Sequence, residues 1–252
     1  MNAVALIPAR YASSRFPGKA LIDIAGKTMI QRVYERAASV NAFSDVIVAT
    51  DDDRIITAVK AFGGKAVMTA ASHRSGTERC AEVVRRMDKT PDIVVNVQGD
   101  EPFLETEQLE LVLECFRTTD TQIATLVKKI TDDATLDNPH TPKVVFDVQR
   151  RAIYFSRSPI PYFRGATREN WRTQCDYYKH IGVYGFRSDI LAEIVRLQPG
   201  RLERAESLEQ LRWLENGYTI RVAETTSESV AIDTPEDLSA VLAKMAAEND
   251  RP

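Results

Sequence analysis

Three cysteines in 252 residues, Cys80, Cys115 and Cys175, are odd in number and far apart. They match neither a disulfide framework nor a zinc site, and so point to a reducing compartment. No apolar run approaches the roughly 20 residues that a bilayer-spanning helix needs, so no membrane segment is expected. The amino terminus lacks a basic region ahead of its short apolar run, and Pro8 and Arg10 follow at once, which argues against a secretory signal. A net charge of −3 gives no global attraction to nucleic acid or acidic membranes, so any anion site must be local. Internal repeats and low-complexity segments are lacking too. With 44% apolar and 27% charged residues, the composition is that of an ordinary globular protein, here expected to be cytoplasmic.

What is present is concentrated first in Ala3-Val-Ala-Leu-Ile-Pro-Ala-Arg-Tyr-Ala-Ser-Ser-Arg-Phe-Pro-Gly-Lys19. The apolar run Ala3 to Ile7 has the pattern of a fully buried parallel strand. Pro8 stops it, because proline cannot donate to a sheet ladder. The loop beyond carries Arg10, Arg15 and Lys19 with no acid among them, plus Ser13, Ser14 and Gly18 where a backbone can approach a ligand. A cationic loop at the carboxyl end of a strand is where open α/β sheets bind ligands, and several cations suggest a polyanion such as a nucleoside triphosphate. A merely solvated basic loop is the other reading. Ala25-Gly-Lys-Thr28 is not a Walker A motif, since the glycine required five positions before Gly26 is Leu21.

Downstream, strands and helices alternate. Helical spacing covers Thr28 to Val40, a second buried strand covers Asp45 to Thr50, and a third covers Lys65 to Thr69. Asp51-Asp-Asp53 contains a helix cap or, less simply, a cation site. Ser72 to Arg79 is a polar turn opening the next helix, able to cap it or to present hydroxyls and amides to an anion. Asp92 to Pro102 is a β-branched strand running into Gln98-Gly-Asp100-Glu, an acid at a strand end facing the cationic loop and suited to Mg²⁺. From about Gln122 the alternation changes to hairpins over Gln122 to Ile130, Lys143 to Val148 and Ala152 to Ser156. Residues 162–178 read as an irregular mobile loop, Lys179 to Phe186 as a strand, and Glu203 to Gly217 as one helix. Thr219 to Ala223 and Ser229 to Ile232 read as the last strands, followed by a helix starting at Asp233-Thr-Pro-Glu-Asp237. The fold class is α/β: a doubly wound, mostly parallel sheet with a β-rich insertion over about 122–187 in a single domain of 1–252.

The first loop, Ser75-Gly-Thr-Glu-Arg79, Gln98-Gly-Asp-Glu-Pro102, Phe155-Ser-Arg157, His180-Ile-Gly-Val-Tyr184, Leu208-Glu-Gln-Leu-Arg212 and Asp233-Thr-Pro-Glu-Asp237 stand in the order found in the sugar-activating cytidylyltransferases, which the chain resembles over nearly its whole length. The resemblance is nearest to the branch acting on 3-deoxy-manno-octulosonate (Kdo), with Thr28 a small departure where the family usually has proline. It implies a nucleotide-diphospho-sugar transferase-like fold, with CTP and Kdo as substrates, Mg²⁺ as cofactor and a homodimer. It further implies that Pro8, Ala9, Arg10, Ser14, Arg15, Lys19, Ser75, Gly76, Arg79, Gln98 and Asp100 meet the nucleotide. Arg157, His180, Tyr184, Glu209 and Gln210 would meet the sugar acid, Asp100 and Asp233 the metal. Arg10, Arg15, Lys19, Asp100 and Asp233 would carry the chemistry, transfer of CMP with release of pyrophosphate for lipopolysaccharide synthesis. Other sugar acids, a glycosyltransferase using Asp51-Asp-Asp53, and a silent CTP-binding regulator remain the alternatives.

Overall fold

The computed structural model describes residues 1–12, 16–228, 232 and 234–249. The chain forms two compact units, one of Met1–Leu109 with Glu228–Pro252 and one of Glu110–Ser227.

The first unit begins with β1 (Ala3–Ala9), then two short antiparallel strands, β2 (Asp23–Ile24) and β3 (Lys27–Thr28). There follow α1 (Met29–Ala38), β4 (Phe43–Thr50), α2 (Asp53–Ala61), β5 (Lys65–Met68), α3 (Gly76–Arg86) and β6 (Ile93–Asn96), and the boundary between the units falls within α4 (Thr106–Glu114). β1 pairs in parallel with β4 on one side and β6 on the other, and β4 pairs in parallel with β5. Ala3 to Ile7 are at most 1% exposed, as expected of a strand covered on both faces by crossover helices. The helix starts follow local chemistry. Thr28 Oγ1 accepts from the Gln31 amide at 3.3 Å, Asp52 Oδ1 from Arg54 at 2.9 Å, and Ser75 Oγ from Glu78 at 3.2 Å. Asp52 and Ser75 are thus helix caps.

The second unit contains β7 (Ile123–Lys129), α5 (Asp133–Asp137), β8 (Lys143–Phe146), β9 (Ala152–Ser156), α6 (Trp171–Gln174) and β10 (Tyr178–Arg187). It continues with α7 (Ser188–Ile194), α8 (Arg201–Glu206), α9 (Gln210–Glu215) and β11 (Ile220–Glu224). β7 pairs antiparallel with β10 and parallel with β11, while β8 and β9 form an antiparallel hairpin. α10 (Pro235–Asn249) then returns to the first unit, where Leu238 and Val241 pack on Ile24, Met29 and Ile232. Its cap is Thr234, whose Oγ1 accepts from the Asp237 amide while Asp237 Oδ2 accepts from the Thr234 amide.

Two expectations change. The single helix over 203–217 is two helices, because Ser207 takes the left-handed conformation at φ 52° and ends α8. The pair is stapled by Arg212, which donates to both carboxylate oxygens of Glu203 at 2.7 and 2.6 Å. Periodicity alone ran through this break, since Leu208, Leu211 and Trp213 are buried beyond it. Residues 162–178 are not simply irregular. They fold a turn of helix, α6, that sets Trp171 against Ile130, Leu136 and Tyr177, and Arg172 grips both Asp133 oxygens at 2.7 and 3.1 Å. Most of the strand expected over 229–232 lies outside the described residues.

Candidate active site

At the carboxyl end of β1 three segments converge. Lys19 Nζ donates to Asp100 Oδ2 at 2.7 Å, and these side chains keep 15% and 33% of their exposure, so a cation and a carboxylate meet in a half-open position. Gly18, with φ 73°, makes the turn that delivers Lys19, and its amide donates to Tyr11 O at 2.9 Å. Arg10 Nη2 donates to His73 O, tying the first loop to the turn before α3. A Cβ on Gly76 would lie 2.9 Å from Pro8 Cγ, and one on Gly99 would lie 2.9 Å from Pro8 O. Both glycines are therefore there to let two backbones close on Pro8 and Ala9. Gln98 opens the turn that carries Asp100, its carbonyl accepting from the Glu101 amide at 3.3 Å. The Ile232 amide donates to Asp100 O at 3.0 Å, which brings the residue immediately before Asp233 in sequence to this strand end. Ser14, Arg15 and Asp233 themselves lie outside the described residues.

Two nucleotide-site candidates are engaged within the fold. Ser75 Oγ is engaged as the α3 cap. Arg79 is fully buried, with Nη1 on Thr69 Oγ1 and Nη2 on Asp51 Oδ2 at 3.0 Å. It holds the ends of β4 and β5 together rather than opening outward. Beside it Glu82 is buried, which alone would raise its pKa. The Ala70 amide at 2.9 Å, His73 and Arg86 outweigh burial and hold the carboxyl below its usual value.

The sugar-site candidates share the second unit. His180 and Tyr184 lie on β10, with ring centroids 5.2 Å apart, and Phe155 sits edge-on to His180 at 5.2 Å. Tyr184 also meets Trp213 of α9 edge-on at 5.1 Å. Burial, helped by the charge of Glu209, raises the Tyr184 hydroxyl well above its ordinary pKa. Burial depresses His180 from 6.5 to about 3, so its imidazole is neutral at physiological pH. Tyr184 Oη and Gln210 Nε2 are buried, and neither has a hydrogen-bond partner among the described residues. Arg157 spends three donors on backbone oxygens, those of Glu206 at 2.6 Å, Pro139 at 2.9 Å and Ser207 at 3.3 Å. Two of its five N–H groups make no hydrogen bond among the described residues.

Sequence reasoning missed Lys143 and Thr125 here and took Glu206 only as a neighbour of Glu209 and Gln210 on one helix. Glu206 accepts from Ser156 Oγ at 2.6 Å and from the Arg157 amide at 2.9 Å, and so seats Arg157. Lys143 is fully buried and donates to Asn138 O and Thr141 O at 2.9 and 2.7 Å. Thr125 is fully buried against His180. A hydroxyl inside the apolar run Ile123 to Val127 was the available signal for Thr125. Lys143 carried none, because its partners are the backbone oxygens of Asn138 and Thr141.

A parallel sheet whose strand ends gather a lysine, a carboxylate and two close-approach glycines defines the class, an α/β nucleotidyltransferase. The comparisons with known proteins then give the family. The cytidylyltransferase family profile matches residues 4–225, and this chain belongs to that family. It is similar to the 3-deoxy-manno-octulosonate cytidylyltransferase of Cytophaga hutchinsonii, at 55% identity over 94% of this chain and 95% of that one. The protein of the same name from Parabacteroides distasonis is 53% identical over 98% and 99%. Among solved structures, that of a CMP:2-keto-3-deoxy-manno-octonic acid synthetase complexed with CTP matches with a TM-score of 0.91 and 46% identity. That match covers 98% of this chain and all of the other. The α/β, mostly parallel fold expected from the sequence is thereby borne out.

Proposed function

We propose that this protein transfers CMP from CTP to the anomeric hydroxyl of Kdo, giving CMP-Kdo and pyrophosphate. The observation that carries the sugar half is the pair of stranded polar atoms, Tyr184 Oη and Gln210 Nε2. Leaving such groups buried without partners costs about 1–3 kcal/mol each. A polyhydroxylated sugar acid supplies the partners that the folded chain does not. Relatives that are half identical over nearly the whole chain and carry the Kdo cytidylyltransferase name support the same substrate pair.

In this reading Lys19 and Arg10 hold the triphosphate and spread charge off the departing pyrophosphate, with Arg15 assigned alongside them by the family pattern. Pro8, Ala9, Gly76 and Gln98 shape the nucleotide cradle with Ser75, and Ser14 is assigned to it as well. Arg79 acts by keeping β4 and β5 in place. Arg157 meets the sugar carboxylate with its two remaining donors, while His180, Tyr184, Glu209 and Gln210 meet its hydroxyls. Asp100 fits a hard cation, because its carboxylate faces the phosphate loop and Mg²⁺ is held by one or two carboxylates together with phosphate oxygens. Asp233 is assigned as the second carboxylate. When bound, Mg²⁺ supplies charge neutralisation at the α-phosphate and a lower pKa for the attacking hydroxyl. Among the described residues no helix is long and apolar enough to cross a membrane, and we assign the protein to the cytoplasm as a homodimer.

The test is pyrophosphate release with CTP, Mg²⁺ and Kdo, beside reactions holding sialic acid, 8-amino-Kdo or no sugar. Release with Kdo alone is expected. Release only with another sugar acid overturns the substrate, and CTP binding without any turnover overturns the activity. Asp100→Asn should abolish turnover and leave the circular dichroism spectrum unchanged; wild-type rates in that variant would sink its role.

A further inference from the structure

The register between β7 and β10 breaks in one place. Ile181 pairs with Leu126, and the next pair is Tyr184 with Thr125, so Gly182 and Val183 bulge out of the ladder. Such a bulge frees carbonyl oxygens, and Thr125 Oγ1 lies 2.7 Å from Val183 O and 3.1 Å from Ile181 O. The same oxygen lies 2.9 Å from His180 Nε2. A threonine hydroxyl has one proton and two lone pairs. A carbonyl can only accept, so the proton of Thr125 must point to the carbonyls, Val183 O being the nearer. Oγ1 is then an acceptor toward His180, and Nε2 must bear a hydrogen.

Burial keeps the ring from carrying a second proton. Nδ1 is therefore a bare lone pair, and among the described residues it accepts no hydrogen bond. The ring cannot swivel freely, with Phe155 edge-on and Tyr184 at 41° to its plane, both at 5.2 Å.

We infer that Thr125 is a positioning residue, locking His180 as the Nε2–H tautomer so that Nδ1 accepts a hydrogen bond from a hydroxyl of the acceptor sugar. This deepens the sugar-acid reading above and rests on it. The bulge converts a backbone irregularity into a chemical instruction, because the carbonyls it frees decide which way the threonine proton points. The threonine decides the tautomer in turn. A site so arranged selects an acceptor with a hydroxyl donor facing Nδ1 and discriminates against an analogue with a hydrogen or an ether oxygen there.

The test is long-range ¹H–¹⁵N correlation of the histidine side chains in the full-length protein, in which only His73, His140 and His180 contribute. We expect His180 with the proton on Nε2, and an Nδ1 resonance that moves when Kdo is added and stays when CTP alone is added. An Nδ1–H tautomer, or an Nδ1 that does not respond to Kdo, overturns the inference. Kinetically, Thr125→Val should raise KM for Kdo about tenfold with KM for CTP unchanged, and Thr125→Ser should restore it. A folded Thr125→Val with an unaltered KM for Kdo also overturns it. If Thr125→Val does not fold, the wild-type spectra and Thr125→Ser still decide. If Kdo proves not to be a substrate, the tautomer remains readable in the apo-protein while the assignment of Nδ1 to that sugar falls with the function.

Discussion

Arg79 shows how a residue of a binding motif can spend donors on the fold itself, with Nη1 on Thr69 and Nη2 on Asp51. Its guanidinium is fully buried on Thr69 and Asp51, so removing it leaves a carboxylate that keeps only 19% of its exposure without its cation. Breaking such a pair costs about 3 kcal/mol. We expect Arg79→Met to lower the urea midpoint accordingly with an unchanged m-value; an unaltered midpoint with weakened CTP binding would instead make it a direct ligand residue. His180 gives a pH signature. Its folded pKa of about 3 lies below the 6.5 of the unfolded chain, so between these values the unfolded state binds the extra proton. That contribution is fully present above about pH 6.5 and is lost as pH falls toward 3, at no more than about 1.4 kcal/mol per pH unit. Denaturation of the wild type and His180→Gln across pH 4–7 should show the variant with the shallower dependence. Parallel curves would overturn the buried neutral imidazole.

Among the elements, β1 and the turns abutting its end shape the nucleotide cradle proposed above. Gly99 lies where a Cβ would come within 2.9 Å of Pro8 O, a backbone atom that cannot rotate aside. Gly99→Ala should therefore displace the β1 terminus, destabilise by about 2 kcal/mol, and raise KM for CTP while leaving KM for Kdo alone. Equal changes in both constants would place the strain elsewhere. The caps of α2 and α3 were legible because Asp52 and Ser75 need only the amides two or three residues ahead. The division of α8 from α9 was not, since Ser207 favours no left-handed turn by itself and the Arg212–Glu203 pair that stabilises it forms only after folding.

For the whole molecule, two large apolar side chains stand out on the β8–β9 hairpin, Val148 at 100% exposure and Ile153 at 62%. In the homodimer proposed above, this hairpin would be the covered face. Sedimentation velocity should give a dimer mass for the wild type and a shift toward monomer for Ile153→Glu. A wild-type monomer at micromolar concentration would overturn the proposal.

The sequence by itself determined the alternation of β1, α1, β4, α2, β5, α3 and β6, the cationic loop and the acid at the end of the β6 turn, while its resemblance to a family implied the class of chemistry. Each depends on neighbours along the chain or on a short spacing that one residue pattern records. Only the tertiary structure decided which polar side chains are spent on the fold and which are left over. It turned Arg79 inward, engaged three donors of Arg157 on carbonyls and left Tyr184 Oη and Gln210 Nε2 without partners among the described residues. It also placed Thr125 against a bulge 56 to 58 residues away in sequence, at the carbonyls of Ile181 and Val183. Hydrogen-bond satisfaction is a sum over contacts between distant segments, so no local reading of the chain can close it.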